Sequence, residues 1–153
     1  MILASAEKYK VDPEIMVGII AAESGFDRCQ ISNRVKKKYS LSKSVDELTA
    51  RKYAKKARKN GIKVDLGLAQ FRYPISISLN NALSDSASVS LLAERLHNLK
   101  LKHKGRYNKP SWAFYSNNRF SSHFMRSVNR QLARAKSNIY TTYLKENQYG
   151  GLD

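Results

Sequence analysis

A short apolar run that ends in a carboxylate constrains the fold of this chain more than any other feature. Residues 15–22 are apolar, and every third or fourth of them falls on the same helical face as Glu23. That face consists of Met16, Ile19, Ile20 and Glu23. Gly25 follows, as expected just beyond the C-terminus of a helix. The sequence therefore predicts a core helix whose last turn brings an acid to the edge of the core.

The predicted position of Glu23 affects its protonation. Burial disfavours the charged form of a carboxyl group, and the C-terminal end of a helix dipole also disfavours a negative charge. Both effects raise the pKa of Glu23 and favour its protonated form near neutral pH. A carboxylic acid of this kind serves as the general acid in glycoside cleavage. Taken alone, however, an acid that ends an amphipathic helix more often marks the rim of a solvated surface.

The charge of the chain indicates an anionic partner. The 153 residues are 42% hydrophobic and 10% aromatic, which is typical of a globular chain of one domain with a real core. The chain contains 28 Lys and Arg residues and 12 Asp and Glu residues, which gives a net charge of +16. Nucleic acid, a membrane surface and an acidic cell-wall polymer all fit this excess. Charge alone does not distinguish among them.

Several kinds of site find no support in the sequence. Cys29 is the single cysteine, so an internal disulfide is impossible and a buried thiol is the better interpretation. His97, His103 and His123 lack metal-ligand spacing, so we expect no metal and no cofactor. No apolar run approaches the length of a membrane span, and the chain starts without a basic leader. We therefore expect no membrane span, and either a cytoplasmic protein or one whose leader has been removed.

The first half of the chain is predicted to form helices around a basic segment. Periodicity and capping residues predict helices at residues 2–9 and 13–23. The basic and polar residues 28–43 are predicted to be a surface loop. The Ser44–Glu47 segment has capping-box spacing for a further helix, which ends at Asn60-Gly61. The inward face of that helix is Ala50, Tyr53, Ala54 and Ala57.

The second half is predicted to be helical after one extended segment. Residues 64–71 alternate in hydropathy, which predicts a brief extended segment or turn in which Gly67 allows another chain or a ligand to approach closely. Residues 73–85 are predicted to be a loop. Three helices follow, the second from Pro110 to Asn117-Asn118. The inward face of the first helix is predicted to be Val89, Leu92, Ala93, Leu96 and Leu99. The last helix is capped by Ser121 or Ser122, and its inward face is predicted to be Met125, Val128, Leu132, Ala135 and Ile139.

Three short segments stand in order along the chain: Glu23-Ser24, Gly67-Leu68-Ala69-Gln70 and Ala113-Phe114-Tyr115-Ser116-Asn117. In this order they resemble the Glu-Ser, Gly-Leu-Met-Gln and Ala-Tyr-Asn segments of the soluble-type lytic transglycosylases, a lysozyme-like family. A basic insert at about residues 30–62 and the segment Asn118-Arg119-Phe120 narrow the resemblance. They are similar to features of the small transglycosylases that accompany type IV secretion and conjugation machines.

This resemblance implies a fold and a set of site residues. The fold is mostly α, a lysozyme-like single domain spanning residues 1–153. Glu23 matches the family's catalytic acid/base. The substrate-binding residues that the resemblance implies are Ser24, Gly67, Gln70, Tyr115 and Asn117. Ser116 stands where the family has Asn, so a side-chain amide contact is either lost or supplied by Asn117.

The resemblance also implies a reaction and a compartment. A lytic transglycosylase cleaves the β-1,4 bond between N-acetylmuramic acid and N-acetylglucosamine in peptidoglycan and leaves a 1,6-anhydromuramoyl product. It uses one carboxyl group where most glycosidases use two, which suits a sequence with one well-placed acid. Asp27, Asp65 and Asp85 are the other acids near the predicted cleft, none in an apolar setting. The expected location is periplasmic or secreted, and secretion-system components are possible partners.

Three other interpretations stay open. The first is a muramidase that hydrolyses the same bond with water. The second is a helical nucleic-acid-binding module, which should concentrate Lys and Arg on one helix, with aromatic rings free for stacking. The basic residues are instead spread over several of the predicted helices, so nucleic acid is the less favoured partner. The third is an inactive relative that binds peptidoglycan, against which Glu23 and Gln70 argue.

Overall fold

The protein is mostly helical. The computed structural model describes residues 1–103, 110–115 and 121–148, with side chains up to residue 137. Within these ranges the helices are α1 (Ile2–Tyr9), α2 (Pro13–Glu23), α3 (Asn33–Tyr39), α4 (Glu47–Lys59), α5 (Leu79–Ala82), α6 (Asp85–His103) and α7 (Ser122–Gln148). The strands are β1 (Val64–Leu66) and β2 (Phe71–Tyr73), and a single 3-10 turn spans Ser111–Phe114. Among the described helices, none is both long and apolar enough to cross a membrane.

Helix α2 forms as its sequence predicts and lies at the centre of the core. The Asp12 carboxylate accepts a hydrogen bond from the Glu14 backbone N–H at 2.8 Å, which caps the first turn. The apolar residues of the predicted face, Met16, Ile19 and Ile20, are all buried. Gly18 faces α7, where a Cβ atom would meet side-chain atoms of Val128 and Leu132 at 2.9 Å. Glycine therefore lets α2 approach α7 closely, and that packing fixes where α2 ends.

Helices α6 and α7 confirm most of their predicted inward faces. Val89, Leu92, Ala93, Leu96 and Leu99 of α6 are all buried, and α6 packs against α1, α5 and the 3-10 turn. Ser121 caps α7, because its hydroxyl accepts a hydrogen bond from the Phe124 N–H at 3.1 Å. On the predicted face of α7, Val128 is buried and Met125, Leu132 and Ala135 are partly buried; Phe124, which was not predicted to face inward, is also buried. The predicted side-chain position of Ile139 lies outside the described residues.

The predicted surface loop at residues 28–43 is wrong, because this stretch contains helix α3. Val35 is fully buried and anchors the helix, although its neighbours are basic. Lys36 is also buried, and its ammonium group donates hydrogen bonds to the Gln30 side-chain oxygen, at 2.7 Å, and to the Lys43 carbonyl. A lysine run therefore does not guarantee a solvated segment, since neighbouring oxygens can replace water around the charge.

Helix α4 confirms its predicted packing, with a different cap. The carboxylate of Asp46, rather than the hydroxyl of Ser44, accepts the hydrogen bond from the Thr49 N–H, at 2.7 Å. The three inward alanines, Ala50, Ala54 and Ala57, are fully buried. Because alanines bring helices close together, α3 and β1 pack directly against α4.

The segment predicted to be extended is an antiparallel hairpin. Val64 pairs with Tyr73, Asp65 with Arg72, and Leu66 with Phe71. The predicted loop at 73–85 also contains the short helix α5, which was missed. Its N-cap is Ser78, whose hydroxyl accepts a hydrogen bond from the Asn81 N–H at 3.2 Å.

The turn between the two strands requires glycine at its first position. Gly67 has φ +83°, and a Cβ atom there would penetrate the carbonyl oxygen of Ala82 in α5. We expect Gly67→Ala to lower the free energy of unfolding by at least about 3 kcal/mol, because a left-handed backbone and a backbone clash add together. The matched control is Gly61→Ala, where φ is +71° but no atom lies within 4 Å.

The control isolates the cost of the backbone conformation alone, which is about 1 kcal/mol. Urea denaturation of both variants measures the difference. Equal losses in the two variants would contradict the close packing of α5 on the hairpin.

Candidate active site

Glu23 is the last residue of α2, and it is partly buried at the edge of the core. Burial is the main reason that its pKa is raised from 4.5 to about 7. The negative charge of Asp65 raises this pKa further, and the positive charge of Arg95 opposes the rise. Near neutral pH the carboxyl group is therefore poised to give up or take back a proton.

Asp65 is the second carboxylate of the site. It lies in β1, and its Oδ2 accepts a hydrogen bond from Arg72 Nη2 at 3.3 Å across the hairpin, while its Oδ1 pairs with Arg72 Nε. The other two acids considered from the sequence have structural roles. Asp27 accepts a hydrogen bond from the Cys29 N–H at 2.8 Å, and Asp85 is the first residue of α6. Only Asp65 of the three is near enough to affect the protonation of Glu23.

Arg95 of α6 is a site residue that sequence reasoning missed. Its Nη2 donates a hydrogen bond to the Tyr115 carbonyl at 2.7 Å, and its guanidinium carbon lies 4.6 Å from the Tyr115 ring centroid and 5.9 Å from that of Phe71. These contacts fix the cation beside the rings. A signal was present, because Arg95 follows Leu92 by three positions and so borders the apolar face of α6.

Tyr115 is buried beside Glu23, but its hydroxyl does not face a carboxyl group. The Tyr115 hydroxyl donates instead to the Ala69 carbonyl at 2.8 Å. The ring lies 6.3 Å from Phe71, edge to face, and 5.7 Å from Phe124, stacked. Burial raises the pKa of the Tyr115 phenol strongly, so the group stays protonated. Tyr115 therefore holds the turn at residues 67–70 against the core.

Gln70 and Gly67 shape that turn. The Gln70 side-chain nitrogen donates to the carbonyls of Gln30 and Gly67, both at 2.9 Å, and Gln70 itself has φ +49°. Gly67 does allow a close approach, as expected, and the group that approaches it is the backbone carbonyl of Ala82. Both residues therefore support the wall of the site through backbone contacts, and the Gln70 side chain is only partly buried.

The remaining predicted substrate-binding residues divide into two groups. Ser24 follows Glu23, and its hydroxyl donates to the Ile20 carbonyl at 3.1 Å, which closes the last turn of α2. Asn117 and its neighbour Ser116 lie outside the described residues. The helix predicted to start at Pro110 is a 3-10 turn at Ser111–Phe114, with Pro110 as its N-cap and Tyr115 as its C-cap.

A cavity of about 250 Å³ opens between β2 and α6 next to this cluster. Arg95 lines it, and Glu23 is not among its lining residues. The apolar part of the lining is Phe71, Leu91 and Leu99, and the polar part includes Ser76, Glu94, Asn98 and Lys102. Such a mixture of apolar side chains and convergent polar groups is typical of a ligand pocket.

The described residues contain no group of three or more His, Cys, Asp or Glu side chains that could hold a metal ion. No protein-family model, curated protein or solved structure matches the chain. The site is therefore interpreted from its own geometry. It combines a carboxyl group with a pKa near neutrality, a cation and a second carboxylate close to it, and a wall of buried aromatic rings. This combination can donate a proton to a leaving group and then recover one.

The raised pKa of Glu23 predicts how stability depends on pH. Because the folded-state pKa of about 7 exceeds the unfolded value of 4.5, the folded state binds more protons between these values, and stability falls as pH rises through that window. Glu23→Gln removes the titration. Relative to wild type, we expect the variant to gain on the order of 2 kcal/mol between pH 4 and pH 8.

Urea titrations of both proteins at the two pH values measure this gain, with Glu14→Gln as the control on the same helix. Glu14 is exposed and pairs with Lys136 at the surface, at 3.0 Å. Because the Glu14 variant keeps Glu23, it should show no such gain relative to wild type. A constant difference between Glu23→Gln and wild type at both pH values would contradict the burial of Glu23.

The position of the Tyr115 hydroxyl predicts a loss of stability. Tyr115→Phe leaves the Ala69 carbonyl without its donor in a buried position, so we expect the free energy of unfolding to fall by about 1–3 kcal/mol. Tyr53→Phe is the control, because Tyr53 is only partly buried on α4. Unchanged stability of Tyr115→Phe would mean that the hydroxyl does not anchor the turn at 67–70.

Proposed function

We propose that the protein is a lytic transglycosylase that cleaves the β-1,4 bond between N-acetylmuramic acid and N-acetylglucosamine in peptidoglycan. The observation that carries the proposal is the burial of Glu23 at the end of a core helix, which raises the pKa of its carboxyl group to about 7. A general acid is most effective when its pKa is close to the working pH. The order of the Glu23, Gln70 and Tyr115 segments along the chain supports the same proposal.

The first half of the proposed reaction uses the protonated form of Glu23. Its carboxyl group gives a proton to the glycosidic oxygen, the bond to the anomeric carbon breaks, and N-acetylglucosamine leaves with a free hydroxyl. The carboxylate that forms is stabilised by the positive charge of Arg95. The positive charge that develops on the muramic acid ring is stabilised by that carboxylate and by the negative charge of Asp65.

The second half uses the ionised form of the same side chain. The Glu23 carboxylate takes the proton from the 6-hydroxyl of the muramic acid ring, and the hydroxyl oxygen bonds to the anomeric carbon. The product is the 1,6-anhydro sugar, and Glu23 is again protonated. Because nucleophile and electrophile belong to one ring, their proximity replaces a second catalytic residue. No water is consumed.

The second candidate is a muramidase that hydrolyses the same bond. One observation favours it: Asp65 is close enough to raise the pKa of Glu23, so the site holds two carboxylates rather than one. In a hydrolase the second carboxylate binds the glycosyl group or activates water. Asp65, however, already accepts two hydrogen bonds from Arg72, Nε to Oδ1 and Nη2 to Oδ2, so both of its carboxylate oxygens have a partner in the protein.

A nucleic-acid-binding module is supported less well. Helix α4 does carry a concentrated set of cations, Lys52, Lys55, Lys56, Arg58 and Lys59. Its neighbouring rings are occupied by the protein's own cations, since Lys56 Nζ lies 5.1 Å from the ring centroid of Tyr39 and 5.9 Å from that of Tyr53. Rings covered in this way are not free to stack on bases. The basic surface suits the acidic groups of a cell-wall polymer through many weak contacts.

The proposal extends to fold and setting. A lysozyme-like arrangement is proposed for the helices that surround the hairpin. We also propose that the protein works in the periplasm or outside the cell, where it opens peptidoglycan locally for a secretion or conjugation apparatus. The resemblance of the basic insert at about residues 30–62 supports this setting.

Product analysis tests the proposal. Purified peptidoglycan is digested with the protein, and the muropeptides are analysed by mass spectrometry. We expect 1,6-anhydro products, which lack one water relative to hydrolysed ones. Glu23→Gln should reduce their formation by at least about 100-fold while keeping the fold, because the swap removes the proton donor and little else.

The exposed Glu14→Gln variant serves again as the control and should keep full activity. Reducing, hydrated ends in place of anhydro ends would favour the muramidase. Glu23→Gln activity above about a tenth of wild type would mean that another group is the acid. No cleavage by the wild-type protein, together with tight binding of duplex DNA at physiological salt, would favour the nucleic-acid module.

A further inference from the structure

An exposed aromatic ring follows Glu23 by three residues. Phe26 is 54% exposed, and it is the one aromatic side chain among the exposed large hydrophobic residues of the described chain. A phenylalanine exposed to this extent leaves apolar surface in water. Packing inside this protein does not account for the ring, since it is absent from the hydrophobic core and from the residues packed against that core.

The backbone that presents this ring is strained. Residues 24–27 form a turn closed by a hydrogen bond from the Asp27 N–H to the Ser24 carbonyl at 3.2 Å. Both central residues have positive φ, +61° at Gly25 and +67° at Phe26. Turns of this kind favour Gly or Asn at both central positions, and a bulky side chain in the left-handed region is an outlier. Phe26 therefore occupies a position where glycine is the more stable choice.

The surrounding contacts force the turn into this shape. On one side, α2 ends at Glu23, and the N–H of its C-cap, Ser24, donates to the Ile20 carbonyl at 3.0 Å. On the other side, the Asp27 carboxylate accepts hydrogen bonds from the Cys29 N–H, at 2.8 Å, and from the Ser44 hydroxyl, at 3.3 Å. Strain that is held in this way is concentrated at functional sites.

Two other residues with positive φ provide the contrast. Lys10 and Ser40 both have φ +51°, and each forms the C-cap of a helix, where a left-handed residue satisfies the last carbonyls. Their conformation is explained by helix capping. The conformation of Phe26 is not, because the C-cap of α2 is Ser24, which has φ −128°.

We propose that Phe26 is a sugar-binding platform, on which the apolar face of a pyranose ring of the glycan strand packs beside Glu23. This inference rests on the proposed function and names a binding residue that the motif resemblance does not. One face of a pyranose ring presents C–H groups, and burying that face on an aromatic ring removes apolar surface of both partners from water. The strained turn keeps the ring in solvent, available to the substrate.

The test separates the ring from the strain. Phe26→Gly removes the ring and relieves the backbone, so its melting temperature should stay within a few degrees of wild type or rise. On soluble glycan strands its KM should rise by about 10-fold with kcat within about 3-fold, because the lost contact acts on binding before chemistry. Phe26→Tyr keeps the flat ring and should stay within about 2-fold of wild type in both constants.

Lys10→Gly is the matched control for strain relief, since it changes a left-handed residue at the end of α1. It should raise the melting temperature and leave both kinetic constants unchanged. Binding is measured independently of activity by calorimetry with the same glycan in the Glu23→Gln background. There Phe26→Gly should weaken binding by about 10-fold.

The outcomes distinguish this inference from the proposed function. If wild type makes anhydro products and Phe26→Gly has an unchanged KM and unchanged glycan affinity, Phe26 is not a platform and the proposed function stands. If wild type cleaves nothing but binds the glycan through Phe26, the proposed function fails and the platform stands. Glycan that binds to neither protein overturns both. A Phe26→Gly protein that fails to fold would make the ring structural and overturn the inference.

Discussion

The burial of one carboxyl group at the end of a core helix is the constraint on which the rest of the site depends. Helix α2 is fixed by its packing on α7, where Gly18 lets the two helices touch, so Glu23 cannot move outward to full solvation. The cost of that burial appears as a pKa of about 7. The positive charge of Arg95 lowers this pKa and the negative charge of Asp65 raises it. Near neutral pH the carboxyl group is therefore about half protonated.

The turn at residues 67–70 is built from backbone conformations that few residues adopt. Gly67 and Gln70 both have positive φ, and the Tyr115 hydroxyl and the Gln70 side-chain nitrogen hold the turn between them. The turn that carries Phe26 has the same character. Each turn has a contact distant in sequence: Gln70 donates to the Gln30 carbonyl, and the Ser44 hydroxyl donates to the Asp27 carboxylate.

Much of the fold could be predicted from the sequence, and the failures have physical causes. The helix from Pro13 to Glu23 was predicted correctly because its caps and its apolar period agree. Helix α3 was missed because a single buried residue, Val35, among lysines gives no hydrophobic periodicity. The burial of Lys36 could not be predicted either, because it depends on a hydrogen bond to the Lys43 carbonyl. Within the site, Glu23 was found from its helix, whereas Arg95 and the partner of the Tyr115 hydroxyl depend on contacts across 20 and 46 residues of chain. No local pattern encodes such contacts.

The central claim is that Glu23 is a proton donor at neutral pH, and its titration measures this directly. The side-chain carboxyl carbon of Glu23 is followed by NMR across the pH range, in wild type and in Asp65→Asn. We expect Glu23 to have a pKa of about 7 in wild type and a lower pKa in the variant, because the negative charge of Asp65 is one of the causes of the raised pKa. Titration of Glu23 at its ordinary value of 4.5 in the folded wild-type protein would contradict the account.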